Sequence, residues 1–450
     1  MSGATTLAME NTRPVAPEQS SCDVDRPLRI ALVHTADFGG GAEASTLSLH
    51  RSLRQLGHES YLFVGTKRTN HADVIEIPRH RCFPGVLRGA QFLEQQFGWQ
   101  YLYHPWFRKI DQLFPADIDV THFHSLWGGQ HGYADVGGLP RLTKRFPSLI
   151  TLRDMWMLTG HCACPPLNCD RWQHGCGQCP DLKTAPAIPQ DGTAFNWKRK
   201  QAAIQRSPLR VVTVSDWLGD RARQSPIFAG KEVHTVYNGV DHTVFTPQDR
   251  TSARQRWELP QDAMIVMIAG QSVEGWFEDG RGPGNYALQA IQDCERDVFL
   301  LAVGHSAEKI LAQWGGSGRA IPFQADAAEL AALYNAADIV LVASLWETFG
   351  RIPAEAQMCG RPVVGFATGG IPEIVEHDST GLLVPPRDVA GLAVALQTLT
   401  DRPELRHAMG AAAVPRARSR FSDRVIAEQY VRHYRDVIAQ RRAALPVRVR

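Results

Sequence analysis

Two carboxylates, Glu347 and Glu355, stand with seven residues between them in the stretch LVASLWETFGRIPAEAQMCGRPVVGFATGG. Glu347 follows a short apolar run, so it is predicted just past a buried strand, at the carboxyl edge where parallel sheets bind ligands. Thr348, Phe349 and Gly350 turn the chain, and Pro353 suits the first turn of a following helix. Glu355 is predicted in that same first turn, beside backbone N–H groups able to hold phosphate. Carboxylates so placed accept hydrogen bonds from sugar and ribose hydroxyls. Two strand ends later, Gly369 and Gly370 offer a loop that a ligand can approach closely. One carboxylate alone would read as helix capping or surface solvation. Two acids and two glycine turns on one sheet edge point to a binding site.

Three further groups are candidates. Gly39, Gly40 and Gly41 follow an apolar run and open a helical stretch, a loop shape that brings backbone to a ligand near a helix start. With Ala44 the loop fits a dinucleotide fingerprint, but the second strand ends Gly65-Thr66-Lys67-Arg68. That lacks the acid that would hold the ribose of NAD, and it leaves NADP, with Arg68 near a 2′-phosphate, as the only dinucleotide reading. Asp117-Ile118-Asp119 imitates a metal-binding acid pair, yet it precedes its strand rather than ending it, so it is read as a strand start and no catalytic metal is expected. Finally, five of the nine cysteines fall between Cys162 and Cys179. Clustered thiols in a chain of this kind favour metal or redox chemistry over disulfides. Cys162, Cys169, Cys176 and Cys179 are the expected ligands of a structural zinc, against the alternative of unligated reduced thiols.

The elements that must position these groups alternate. Apolar runs at Arg29–Thr35, Tyr61–Val64, Asp119–His124, Ser148–Leu152 and Arg210–Val214 are separated by helical periodicity. The rhythm repeats at Met264–Ala269, Val298–Val303, Asp338–Ala343 and Pro362–Phe366. Alternation of strand and helix implies parallel sheets covered on both faces. Two such series imply an α/β chain of two doubly wound, Rossmann-like domains. The expected division is a disordered tail over 1–27, a first domain over 28–238 with the cysteine insert at 160–181, and a second over 239–420. A last helix over 421–450 closes the second domain or crosses back to the first.

Bulk composition narrows the classes. A length of 450 residues exceeds what one core usually organises, and a net charge of +2 gives no global sign of a nucleic-acid partner. No apolar run approaches the ~18 residues of a membrane span, and the start lacks a signal-peptide stretch, so the expected compartment is the cytoplasm. Two segments could touch a membrane surface. The stretch from Pro415 onward carries ten arginines and no lysine, and His80–Lys109 interleaves eight aromatic residues with Arg81, Arg88, Arg108 and Lys109. A solvated helix face and a core-packed excursion are the respective plain alternatives.

The stretch Glu347–Asp388 resembles the signature of glycosyltransferase family 4. It carries the acid pair, then Gly360-x-Pro362-Val363-Val364, Gly369-Gly370-x-x-Glu373 and Gly381-x-Leu383-Val384. Val214-Ser215, Asn238-Gly239-Val240-Asp241 and the glycine loop are similar as well, so the resemblance spans nearly all of the chain after residue 27. It implies the GT-B fold, two Rossmann-like domains facing each other across a cleft, and transfer of a sugar with retention of anomeric configuration. It further implies that Glu347 contacts donor-sugar hydroxyls and that Glu355 contacts the ribose. Gly369 and Gly370 would lend N–H groups to the donor, with Thr348, Phe349 and Gly350 beside them. His124 would lie near the reacting sugar, and Gly40 and Gly41 would border the diphosphate.

The resemblance also sets the expected partners: a UDP- or GDP-sugar donor and a glycan, lipid-linked or small-molecule acceptor, in bacterial polysaccharide synthesis at the inner face of the membrane. Similar Cys-rich inserts occur in bacterial polysaccharide members of the family. The chain departs from the pattern in two places. Gly270-Gln271-Ser272 stands where the family carries an arginine and then a lysine, with Arg281 as the nearest stand-in. Arg153 occupies a position usually held by histidine. The first departure leaves a catalytically degenerate nucleotide-sugar-binding protein as the alternative reading.

Overall fold

The computed structural model describes residues 26–78, 84–128, 133–166, 168–270 and 283–444. Thirteen strands form two all-parallel sheets among these residues. The first holds β1 (Arg29–Ala36), β2 (Glu59–Thr66), β3 (Val74–Glu76), β4 (Val120–Phe123), β5 (Ser148–Leu152), β6 (Arg210–Thr213) and β7 (Val233–Thr235), in spatial order 3-2-1-4-5-6-7. The second holds β8 (Ile265–Gly270), β9 (Phe299–Gly304), β10 (Gly318–Ile321), β11 (Ile339–Val342), β12 (Val363–Phe366) and β13 (Gly381–Val384), in order 10-9-8-11-12-13. Helices cover both faces. The central strands are therefore buried on both sides and read as unbroken apolar runs, as in IVLV of β11.

All nine strands expected from the sequence are present. The four that were not anticipated, β3, β7, β10 and β13, are the outermost strands of the two sheets. They are three or four residues long and partly exposed, so they carry no continuous apolar run to read.

Register places the chemistry. Val33 of β1 is level with Phe123 of β4, so His34 and His124 emerge side by side at the carboxyl edge, where the strand order reverses between β1 and β4. The second sheet reverses between β8 and β11, and Glu347 follows β11. Such reversal points open a crevice between the flanking loops.

The chain crosses between the sheets at two adjoining places. Val240 donates its N–H to the Phe421 carbonyl at 2.8 Å, and Asp423 donates back to Val240 at 3.1 Å. A Cβ at Gly239 would stand 2.8 Å from Asp423 Cα, so glycine permits this approach. From there the helix Asp423–Ala444 packs on the helix Gly41–Gln55 of the first sheet, burying Ile426, Tyr430, Val431 and Tyr434. Tyr434 Oη and His122 Nδ1 are 2.7 Å apart, and Tyr430 Oη and Thr151 Oγ1 are 3.0 Å apart. The rings thus bury apolar surface while their hydroxyls stay satisfied.

The aromatic segment divides. Phe107 is fully buried, whereas the helix Pro84–Phe97 leaves Val86, Phe92, Leu93 and Phe97 exposed. His80 to Phe83 lie outside the described residues.

Candidate functional site

Glu347 lies just beyond β11 and within electrostatic reach of Cys164 in the first domain. Burial pushes its carboxyl up to about 7, with a hydrogen bond from Ser344 pulling the other way. Its neighbour Thr348 joins the two halves: its hydroxyl donates to the Arg153 carbonyl at 2.7 Å, and its own carbonyl accepts from Ser215 Oγ at 2.5 Å. Glu373 strengthens the junction by accepting the N–H groups of Asp216 and Trp217 at 2.8 and 2.9 Å. Those N–H groups open the helix Asp216–Gln224, where a carboxylate is favoured by the helix dipole. Trp346 meets Trp217 edge-to-face, centroids 5.1 Å apart.

Gly350, at φ +103°, precedes the helix Arg351–Met358. Glu355 is the fifth residue of that helix, so the first-turn placement is corrected: it sits one turn deeper, buried, away from the free N–H groups. Its two oxygens are engaged, Oε1 by Arg351 Nε at 2.5 Å and Oε2 by Tyr334 Oη at 3.0 Å. Burial raises its pKa and the Arg351 guanidinium lowers it in part. Arg351 was not singled out from the sequence, although its spacing of four from Glu355 is the standard spacing of a helical ion pair.

The loop at Gly369 is tight. At φ +56°, an added Cβ there would stand 1.6 Å from the Glu347 carbonyl oxygen. Gly370 donates its N–H to that same carbonyl at 3.0 Å. The expectation that Gly370 lends this N–H to a donor is therefore corrected: it fixes the backbone under Glu347 instead. The Phe349 ring is buried in the core between Tyr237 and Phe421, so any contact it offers a donor comes from its backbone.

On the opposite wall, Gly40 caps the helix Gly41–Gln55 without a side-chain hydrogen bond. A Cβ at Gly41 would stand 3.6 Å from Arg351 Cδ, and Arg351 Nη1 donates to Ser45 Oγ at 3.2 Å. Below lie His34, His124 and Arg153, all buried. Arg153 contacts Asn238 Oδ1 at 2.5 Å and His124 Nδ1 at 3.2 Å. Among the described residues, His34 Nδ1 and Nε2, His124 Nε2 and Arg153 Nε have no hydrogen-bond partner. Burial, with the nearby guanidinium, holds both histidines well below the usual imidazole range, so they are neutral. Arg281 and Gln271 lie outside the described residues.

Asp119 completes the acid-pair question: it accepts the Arg29 N–H at 2.9 Å and pairs with Arg26, which spends it on anchoring the strand.

The cysteine loop flanks this cleft. Cys162 senses Cys176 and Cys169, Cys176 senses Cys169 and Cys179, and Cys179 senses Cys169. Cys164 senses only Cys162 among the thiols and turns instead toward Asp154 and Glu347. Burial pushes the Cys162 thiol up to about 12 and Cys176 up to about 11. Gly175, Cys176, Gly177 and Gln178 all have positive φ, a tight turn that aims Cys176 Sγ at the Gly160 N–H, 3.2 Å away. Among the described residues, the chelating atoms drawn within 4.8 Å of one another are those of Asp241, His242 and Asp423 rather than the thiols.

Two family descriptions match: "Glycosyltransferase Family 4" over residues 39–244 and "Glycosyl transferases group 1" over residues 285–402. The chain is 35% identical over 316 residues to a D-inositol 3-phosphate glycosyltransferase of Catenulispora acidiphila, covering 67% of this chain and 69% of that one. A protein of the same name from Corynebacterium efficiens is 34% identical over 87% of this chain and 92% of its own. The chain belongs to glycosyltransferase family 4. Among solved structures, HepE of Anabaena in complex with UDP has a similar fold, with TM-score 0.63, 17% identity, and coverage of 91% of this chain and all of that one. The family 4 enzyme thus has the GT-B architecture, and its activity is glycosyl transfer. That membership leaves no place for an NADP-dependent oxidoreductase at the glycine loop.

Proposed function

We propose that this glycosyltransferase moves a hexosyl group from a UDP- or GDP-sugar to a glycan, lipid-linked or small-molecule acceptor, retaining anomeric configuration and using no catalytic metal. The observation that carries the reading is Glu347. It is a carboxylate desolvated to a pKa near neutrality, held past β11 at the reversal point of the second sheet and within electrostatic reach of Cys164 of the first domain. In this reading Glu347 and the neutral His124 contact the reacting sugar, and Glu355 reaches the ribose only once a donor displaces one of its present partners, Arg351 or Tyr334. As the glycosidic bond breaks, the sugar carbon becomes cation-like and the diphosphate gains charge. Attack from the same face then lets a phosphate oxygen of the leaving group take the acceptor proton. The spending of Asp119 on a strand start supports a mechanism without the acid-pair metal site.

Donor and acceptor classes are supported by likeness. HepE has been solved with UDP and with UDP-glucose, and the curated relatives are named for an inositol phosphate. A place in bacterial exopolysaccharide or related glycan synthesis, on the cytoplasmic membrane face, is supported by the exposed apolar face of the helix Pro84–Phe97. No described helix is long and apolar enough to cross a membrane.

The cysteine loop is proposed to hold a structural zinc through Cys162, Cys169, Cys176 and Cys179. Binding one ion would draw the Sγ atoms closer than they stand, and the electrostatic links that run through these four, with Cys164 linked to Cys162 alone among the thiols, support that set. So does Lys200, a buried cation that donates to the Trp156 and Thr159 carbonyls at 2.6 and 3.0 Å and lies in reach of Cys162 and Cys176. Bound zinc would convert the thiols to thiolates and pin the loop that bears Cys164 against the cleft.

The deciding experiment is a donor screen with UDP-, GDP- and ADP-sugars, following thermal shift and nucleotide release beside Glu355→Ala. Stabilisation by one class, lost in the variant, is expected. Absence of any response, with the wild-type chain folded, would remove the donor reading.

A further inference from the structure

Arg351 occupies an unusual place. It is the first residue of the helix Arg351–Met358 in the second domain, yet its side chain reaches the first domain, the stem lying beside Gly41 and the guanidinium donating to Ser45 in the helix Gly41–Gln55. Nε is committed to Glu355 and Nη1 to Ser45, while Nη2 has no protein partner shown among the described residues. Arg153 lies within electrostatic reach of Arg351. It is buried, makes no ion pair with a carboxylate among the described residues, and leaves Nε unsatisfied.

The acids around this pair offset little of the charge. Glu355 is matched by Arg351 itself, and burial disfavours the ionised forms of Glu43 and Asp154, the carboxylates near Arg153. Two guanidiniums therefore face one cleft with a charge excess. A buried guanidinium without an anionic counterpart is costly, and an oxyanion placed between the two relieves both the desolvation and their mutual repulsion.

The geometry points to Arg351 as the diphosphate-binding residue of the donor site, a fork that spans the cleft from Glu355 to Ser45 with its stem beside Gly41, and with Arg153 adding positive field. This rests on the nucleotide-sugar reading given above. A planar fork suits the paired oxygens of a phosphate. In the reaction, the C–O bond from the sugar's anomeric carbon to the diphosphate breaks with its electron pair passing to the phosphate oxygen, and the acceptor hydroxyl oxygen forms the new C–O bond to that carbon. Arg351 meets that developing charge, and the acceptor proton ends on the same leaving group.

Calorimetric titration of the full chain with uridine, UMP and UDP, and with the guanosine series alongside, separates this role from a merely structural one. Arg351→Met is expected to weaken the diphosphate that binds wild type by about 10- to 100-fold, the monophosphate by less, and the nucleoside not at all. Arg351→Lys, which keeps the charge and the fold but loses the fork, is expected to fall between. It carries the test if the methionine variant fails to fold. Equal weakening of nucleoside and diphosphate would show that Arg351 serves only to position Glu355, and unchanged diphosphate affinity would equally overturn the assignment. Failure of wild type to bind any of these nucleotides would instead sink the donor reading on which it rests.

Discussion

Glu347 is destabilising where it stands. Its folded pKa, about 7, exceeds the ordinary glutamate value of 4.5, so the folded chain holds a proton that the unfolded chain releases. Stability therefore falls as pH rises from the unfolded value to the folded one, then levels. Glu347→Gln removes that loss. The variant should gain about 1–3 kcal/mol over wild type at pH 8 and almost nothing below pH 4.5, as read by melting across pH. Its transfer rate should drop about 10²–10³-fold. A stability gain without loss of rate would make the carboxylate a bystander. Glu347 and Glu355 were both legible in the sequence, because a carboxylate after an apolar run and its spacing to a second one survive in one dimension. Arg351 and Tyr334 were not, since their meaning depends on Ser45 and Glu355, which only folding brings to them.

Two elements flank the cleft and each yields a measurement. The cysteine loop should carry one zinc per chain by metal analysis. Cys176→Ser should abolish it, whereas Cys164→Ser should leave it intact, and chelation should lower the melting temperature of wild type. Equal metal content in wild type and Cys176→Ser would dismiss the set of four. The helix Pro84–Phe97 leaves Phe92 64% exposed, with Val86, Leu93 and Phe97 beside it. An apolar face of this kind lies readily in a membrane interface. Wild type should float with anionic vesicles, and Phe92→Glu with Leu93→Glu should sediment free of them while retaining transfer to a soluble acceptor. Retained flotation in that double variant would point to another surface.

At the scale of the whole molecule, an apolar core runs through both domains around Phe349 and Phe421, and directed bonds are added to it at the cleft. Glu373 makes two of them, to the N–H groups of Asp216 and Trp217. Bonds to a charged group contribute roughly 1.5–3 kcal/mol each, enough to shift an open–closed balance. Glu373→Ala should enlarge the radius of gyration in small-angle scattering and raise the donor KM, with little change in melting temperature. Unchanged scattering would mean that Thr348, Ser215 and Arg351 suffice. The amino-acid sequence alone determined the two parallel α/β sheets, the order of their central strands along the chain, and the acid pair. Burial on both faces writes long apolar runs, and turns write glycine and proline. It did not determine the edge strands, which are too short and too exposed to leave a run. Nor did it place Glu355 deep in its helix or spend the Gly370 N–H on Glu347. The bridging of two domains by one arginine was also hidden, because partners more than 300 positions apart meet only when both sheets have formed and docked.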